Sequence, residues 1–345
     1  MTHPLPRPAA GAAPTPGTRP GDLAELTARA EQAVAGRGRL VGPLRRFAYA
    51  KSSPMYVATV RDGTRELPVV VKDLSRRSLL AGAAAVKPAF LHDPRREAAM
   101  YRDVLGQVDG PPAHVGSHLD GTDPSVLVVE LVDGLELSDV GEIDVWARAA
   151  AWFGAFHASD ALDRASAVPL VAHDDRARVR WRDRAAAAAE RLDGAARRRV
   201  ARAVEVFDGP GRERLASATT GLVHGEAYPS NLVVGVTPAA GTAAGAAPRI
   251  CPVDWETAGR GPVLIDLAAL VTGDWAPGDR QRLLAAYRAA ARAGGLGFDD
   301  FAVELAACRL QLALQWVGWF VDHAPPDRHA RDWAAEAADA ADAMG

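Results

Sequence analysis

Residues 222–234 read LVHGEAYPSNLVV, with His224, Gly225, Glu226, Ser230 and Asn231 lying between two apolar runs. Short apolar runs bounded by turn residues read as buried strands, so the polar centre is a loop presented by two strands. Further on, RICPVDWE (249–256) repeats the arrangement, an apolar run that ends in the carboxylates Asp254 and Glu256. Between them lies TPAAGTAAGAAP (237–248). Its glycines do not open a helix, so it reads as a hairpin tip rather than a phosphate cradle.

Outward from this core the chain changes character. LRRFAYA (44–50), MYVATVR (55–61) and LPVVVKDL (67–74) are strand-like and separated by KSSP and DGTRE, both suited to hairpin loops. Before them, DLAELTARAEQAVAG (22–36) spaces Leu23, Leu26, Ala30 and Val34 along one helical face. DPRREAAMYRDVLGQV (93–108) predicts a helix, and PSVLVVELVDG (124–134) a buried strand ending in a turn. From about Val145 the pattern is helical, through 176–206 and 279–343, apart from the strands at 222–255. A strand-rich first third before helical two-thirds predicts an α+β fold in two lobes, with an antiparallel sheet in the first. The expected division is a disordered tail at 1–21, an N-terminal nucleotide-binding lobe at 22–132 and a helical C-terminal lobe at 133–345.

Composition narrows the classes. A formal net charge of -3 over 345 residues gives no whole-chain argument for a nucleic-acid or membrane partner. A nucleic-acid patch needs an uninterrupted positive face, and the Arg-rich stretch 176–203 is interrupted by Asp183, Glu190 and Asp193, so it reads as a solvated helix pair. Two cysteines, Cys251 and Cys308, without close spacing support neither a disulfide framework nor a zinc site, which fits a reducing cytoplasm. No apolar run approaches the roughly 20 residues of a membrane span. Lysine is scarce beside arginine, so each lysine carries information.

VVVKDL, RREAAMY, HGEAYPSN and VDWETAGRGPVLIDLAAL, in this order and spacing, resemble the aminoglycoside phosphotransferase and choline kinase superfamily, distant relatives of the protein kinases. The resemblance runs from about Leu40 to Trp319, with HGE standing for the family's HGD and Phe156 for the leucine of its Leu-His-Ala helix end. It implies a bilobal protein-kinase-like fold and an ATP- and Mg²⁺-dependent phosphotransferase. By the resemblance, Lys72 contacts the nucleotide phosphates, Glu97 orients Lys72, and VLVVELVDG supplies a hinge with Glu130 and Val132. Asn231 and Asp254 hold the metal, Glu226 serves the acceptor hydroxyl, His224 organises the loop and Asp266 supports its backbone. These types suit the chemistry: phosphoryl transfer needs a held triphosphate, neutralised charge and an aligned hydroxyl, and hard oxygen ligands suit Mg²⁺.

YAKSSPMY stands where such proteins cover the phosphates, yet it has no glycine; Ser52 and Ser53 offer hydroxyls and backbone N–H groups instead, unless the segment is a plain polar turn. Glu256 reads either as a further metal or acceptor contact or as an ion-pair partner. Trp316, Trp319 and Phe320 share a helical face near Asp322, either as core or as an aromatic wall for the acceptor. His157 reads as a core histidine. The expected acceptor is a hydroxyl on a small metabolite, an aminoglycoside or other natural product. A Ser/Thr hydroxyl on a peptide is the alternative, and a nucleotide-binding pseudokinase is the reading from another class.

Overall fold

The computed structural model describes residues 20–47, 53–119, 121, 125–235, 247–276, 278–319 and 331–344. The expected tail 1–21 and the tip 237–248 lie mostly outside these, and the last two residues of the expected tail, Pro20 and Gly21, are helical. The chain forms two compact units, Met1–Leu135 with Val233–Glu256, and Glu136–Leu232 with Thr257–Gly345. The segment carrying Asp254 therefore belongs to the first unit, although it follows most of the second in sequence.

The first unit opens with α1 (Pro20–Val34), followed by β1 (Arg39–Arg46), β2 (Met55–Asp62) and β3 (Arg65–Asp73). After a connector holding α2 (Ala81–Val86) come α3 (Pro94–Ala99), β4 (His114–His118), β5 (Val126–Glu130) and β6 (Gly134–Glu136). Strands β1 to β5 form an antiparallel sheet in the order β1-β2-β3-β5-β4. Val69 and Val71 of β3 and Val126 and Val128 of β5 bury one face with Leu26, Ala30 and Val34 of α1. Strand side chains alternate between faces, so Lys72 stands on the face away from α1. The helix expected at 93–108 begins with Asp93 as N-cap and Pro94 at its first turn, then widens to π geometry at Met100–Val104 and tightens at Leu105–Gln107.

The second unit contributes α4 (Ile143–His157), α5 (Ala161–Arg164), β7 (Val171–Ala172), α6 (Asp175–Ala189), α7 (Gly194–Val206), α8 (Arg212–Ser217) and β8 (Thr220–Val223). Strands β9 (Leu232–Gly235) and β10 (Arg249–Pro252) pair in the order β10-β9-β6. Then follow β11 (Gly259–Pro262), paired between β7 and β8, and α9 (Leu264–Val271), α10 (Asp279–Ala293), α11 (Phe301–Trp319) and α12 (Trp333–Asp342). The Arg-rich stretch is indeed a helix pair. Many of its arginines are matched to carboxylates, Arg182 with Asp208, Arg197 with Glu190 and Arg199 with Asp332. Among the described residues no helix is long and apolar enough to cross a membrane.

Helices α4 and α10 approach closely at Gly154, where an added Cβ would lie 2.4 Å from the Tyr287 carbonyl oxygen. A backbone atom cannot swing aside as a side chain can. Gly154→Ala is therefore expected to lower stability by about 1–3 kcal/mol through overpacking, read as a lowered urea midpoint at unchanged slope.

Candidate active site

In the first unit β3 carries Lys72 between β2 and β5, opposite Met55 and Leu127. Its ammonium lies 2.7 Å from Glu97 Oε2 on α3 and donates to Asp254 Oδ1 at 2.5 Å. Lys72 and Glu97 are both buried, and Asp254 keeps 27% of its side chain exposed. Burial works against a charged Lys72, but the carboxylates of Asp254 and Glu97 outweigh it and hold the ammonium charged well above the usual lysine range. One lysine shared between two carboxylates leaves Glu97 under-compensated, and burial pushes it up to about 7. Among the described residues Asp254 is the one non-glycine residue with positive φ, at 66°. Aspartate tolerates this left-handed conformation better than most side chains, and such positions gather at functional sites.

The loop of the second unit is built around Asp266, fully buried on α9. One carboxylate oxygen accepts from the His224 N–H at 2.7 Å and the other from the Gly225 N–H at 2.9 Å. His157 Nε2 lies 3.1 Å from Asp266 Oδ2, and its Nδ1 lies 2.8 Å from the Tyr287 hydroxyl. Burial raises Asp266, but the hydrogen bond and charge of His157, aided by His224, prevail and hold the carboxyl below the usual aspartate range. His157 is thus the core histidine the sequence suggested. Gly225 has φ 83°, and a Cβ there would meet the Thr257 carbonyl oxygen at 2.6 Å, so both conformation and space call for glycine.

His224 is enclosed, its carbonyl accepting from Thr257 Oγ1 at 3.1 Å and its Nδ1 from the Glu226 N–H at 3.3 Å. A ring nitrogen that accepts from the backbone organises the turn. The Glu226 carbonyl accepts from the Tyr228 N–H at 2.7 Å and from Asn231 Nδ2 at 2.9 Å. The backbone of Glu226 is therefore pinned on both sides.

Other residues singled out in the sequence fall in different places. Ser53 is buried and Ser52 lies outside the described residues. The Glu130 carboxylate is taken by Arg249, at 2.8 Å and 3.1 Å, and by the Ala113 N–H at 3.0 Å; its own N–H donates to the Ala113 carbonyl. That leaves its side chain committed to the sheet. Val132 is half-buried in the segment after β5. Glu256 Oε2 lies 2.5 Å from Lys87 Nζ, as the ion-pair reading expects. Trp316 is buried, stacked on Trp333 at 4.9 Å and edge-on to Tyr228 at 5.1 Å, while Trp319 stacks on Trp181 at 5.1 Å. Trp316 thus packs among buried rings, while Trp319 is half-buried. Phe320 and Asp322 lie outside the described residues. Sequence reasoning missed Lys87 and Arg96; the rarity of lysine was the available signal for the first.

Among the described residues no group of three or more His, Cys, Asp or Glu side chains is arranged to hold a metal ion. The donor chemistry nevertheless fits Mg²⁺, which needs one or two protein oxygens beside water and phosphate. Asn231 uses its amide nitrogen on the Glu226 carbonyl, so its oxygen is the atom left to offer a cation, and Asp254 offers a partly exposed carboxylate.

A sheet-bearing unit with a Lys–Glu–Asp cluster and a mainly helical unit with an HGE loop define a protein-kinase-like fold. The chain belongs to the phosphotransferase enzyme family, which it matches over residues 89–303, and it is a phosphotransferase acting on hydroxyl groups. That match takes in Glu97, the HGE loop and Asp254 and begins after Lys72. Among solved structures, a microcompartment-associated aminopropanol kinase is 18% identical, with 91% of this chain and 94% of that one covered and a TM-score of 0.54. The macrolide 2'-phosphotransferase MphH from Brachybacterium faecium is 19% identical over 92% and 97% of the two chains, with a TM-score of 0.53. A GDP complex of aminoglycoside 2'-phosphotransferase-IIIa is 12% identical over 88% and 92%, with a TM-score of 0.50. At these identities the likeness is one of fold. No curated protein sequence matches the chain significantly.

Proposed function

We propose that this protein transfers the γ-phosphate of ATP, with Mg²⁺, to a hydroxyl of a small molecule, an aminoglycoside or other natural product being the candidate class. The observation that carries the reading is the buried ammonium of Lys72 held by Glu97 and Asp254, since a fixed positive charge is what a bound triphosphate requires. Lys72 binds the α- and β-phosphates, and Glu97 keeps it oriented. Mg²⁺, held by Asp254 and the Asn231 oxygen, would neutralise charge on the transferring phosphoryl group. Glu226 accepts the acceptor's proton as the new O–P bond forms; the bond from the γ-phosphorus to the bridging oxygen breaks, and ADP leaves with its electron pair. His224, Asp266 and His157 hold the loop that carries Glu226. Cytoplasmic location is part of the same proposal.

Glu226 tests it. A glutamate reaches farther than aspartate by one C–C bond, roughly 1.5 Å, and its pinned backbone gives the loop little freedom to follow a shorter side chain. Misplacement of about 1 Å costs on the order of 100-fold. Glu226→Asp is expected to lower kcat by about that factor with a smaller change in acceptor KM, measured by coupled release of ADP. Higher activity in the variant would mean that the glutamate impairs the site. A panel in which only peptides are phosphorylated would move the acceptor to a Ser/Thr hydroxyl, and nucleotide binding with no transfer at all would support the pseudokinase.

A further inference from the structure

The chain has three lysines, Lys51, Lys72 and Lys87. Arginine supplies nearly all its cations, so two buried lysines in one unit need a reason. Lys72 has one in the nucleotide. Lys87 closes α2 in the connector between β3 and α3, and its side chain is only 4% exposed. Its ammonium meets Glu256 Oε2 at 2.5 Å. Arg96 of α3, also buried, donates through Nη1 to the Glu256 carbonyl at 2.6 Å and to the Leu91 carbonyl at 2.7 Å. Glu256 is therefore gripped at its carboxylate by the connector and at its backbone by α3.

Two residues before it stands Asp254 with its left-handed φ. A strained conformation persists only where the surroundings over-determine it. Lys72 fixes the Asp254 side chain, and the grip on Glu256 fixes the backbone just beyond it. Lys87, Glu256 and Glu97 also line one small cavity with Ser53, so the Lys87–Glu256 pair stands beside the Lys72–Glu97 pair. A compact ammonium on a flexible stem reaches a single carboxylate oxygen in such a space, where a planar guanidinium asks for a wider one.

We propose that Lys87 is a positioning residue: through Glu256, and together with Arg96, it holds Asp254 in the conformation that binds the divalent cation, and so sets the affinity for that cation. This rests on the reading of Asp254 as a metal ligand. Glu256 then acts through the backbone of the metal segment and not as a contact to the acceptor.

The test uses the full chain, the variants Lys87→Met, Glu256→Gln, their combination and Lys87→Arg, with Mn²⁺ as probe. Free Mn²⁺ is titrated by electron paramagnetic resonance in the presence of a non-hydrolysable ATP analogue, and each variant's melting temperature is recorded without ligands. Lys87→Met is expected to weaken Mn²⁺ binding about tenfold, the lower end for groups that support metal ligands from outside. Glu256→Gln should do the same, and the combination should be no worse than the weaker single variant, because both break one interaction. Lys87→Arg should recover part of the loss, and acceptor KM should stay unchanged throughout. Wild-type Mn²⁺ affinity in folded Lys87→Met overturns the proposal, as do additive losses or a loss confined to Glu256→Gln. If Lys87→Met does not fold, Lys87→Arg and Glu256→Gln carry the same comparison. A wild-type chain that binds the nucleotide analogue but no Mn²⁺ would remove the functional reading itself, and this inference with it.

Discussion

Asp254→Ala is expected to cut phosphoryl transfer about a thousandfold or more while leaving the chain folded. Metal stabilisation of transition-state charge is worth several kcal/mol, and each 1.36 kcal/mol is a decade in rate. The fold should survive because Lys72 keeps Glu97 at 2.7 Å, so its buried ammonium is not abandoned. Alanine pays more than aspartate for a left-handed φ, which adds a small loss of stability. Turnover with saturating nucleotide and the melting temperature separate the two effects. A residual rate within tenfold of wild type would show that the metal does not depend on Asp254.

The largest loss of stability is expected at Asp266. Its carboxylate serves the His224 and Gly225 N–H groups and His157, all buried. Asp266→Ala leaves these groups without their acceptor, and breaking a buried charged interaction in this way costs about 3–5 kcal/mol, a fall in melting temperature of roughly 10 °C. The pH dependence follows from the depressed carboxyl. Unfolding returns Asp266 to its ordinary value near pH 4, so its contribution is complete above that value and is lost as pH falls through the lower folded one. The gap between wild type and Asp266→Ala in thermal melts should therefore stay wide from about pH 8 to 5 and close only in strong acid. A gap that closes near neutrality would place the titration elsewhere.

Much of this was legible in the chain because periodicity and burial agree. Leu26, Ala30 and Val34 lie on the buried face of α1, and the alternation in LPVVVKDL puts Lys72 on the face away from that helix. Strand β1 starts earlier than LRRFAYA suggests because Gly42 and Pro43 sit at a bulge in an edge strand, where a missing ladder donor is tolerated. Strand β4, HVGSH, and strand β11, GRGP, carried no recognisable apolar pattern. The glycines of β11 make sense only in three dimensions: His173 lies 2.4 Å from where a Cβ of Gly259 would stand and 2.5 Å from that of Gly261. The candidate site residues Lys72, Glu97, His224, Glu226, Asn231, Asp254 and Asp266 were singled out by the family resemblance of their motifs. Lys87 was not, because it sits in an alanine-rich connector far from Glu256 in sequence, and an ion pair between distant residues leaves no local trace. The commitment of Glu130 to Arg249 was hidden for the same reason.

The enclosure of two of the three lysines has a consequence for chemistry done on this protein rather than by it. An amine reacts with acylating reagents only when it is accessible and deprotonated, and Lys72 is neither: it is buried and held charged between two carboxylates. Lys87 is shut away behind Glu256. Acylation of Lys72 therefore waits for the first unit to open locally, and the rate at which the label appears there is a clock for that opening. Nucleotide that holds the lysine should slow the clock.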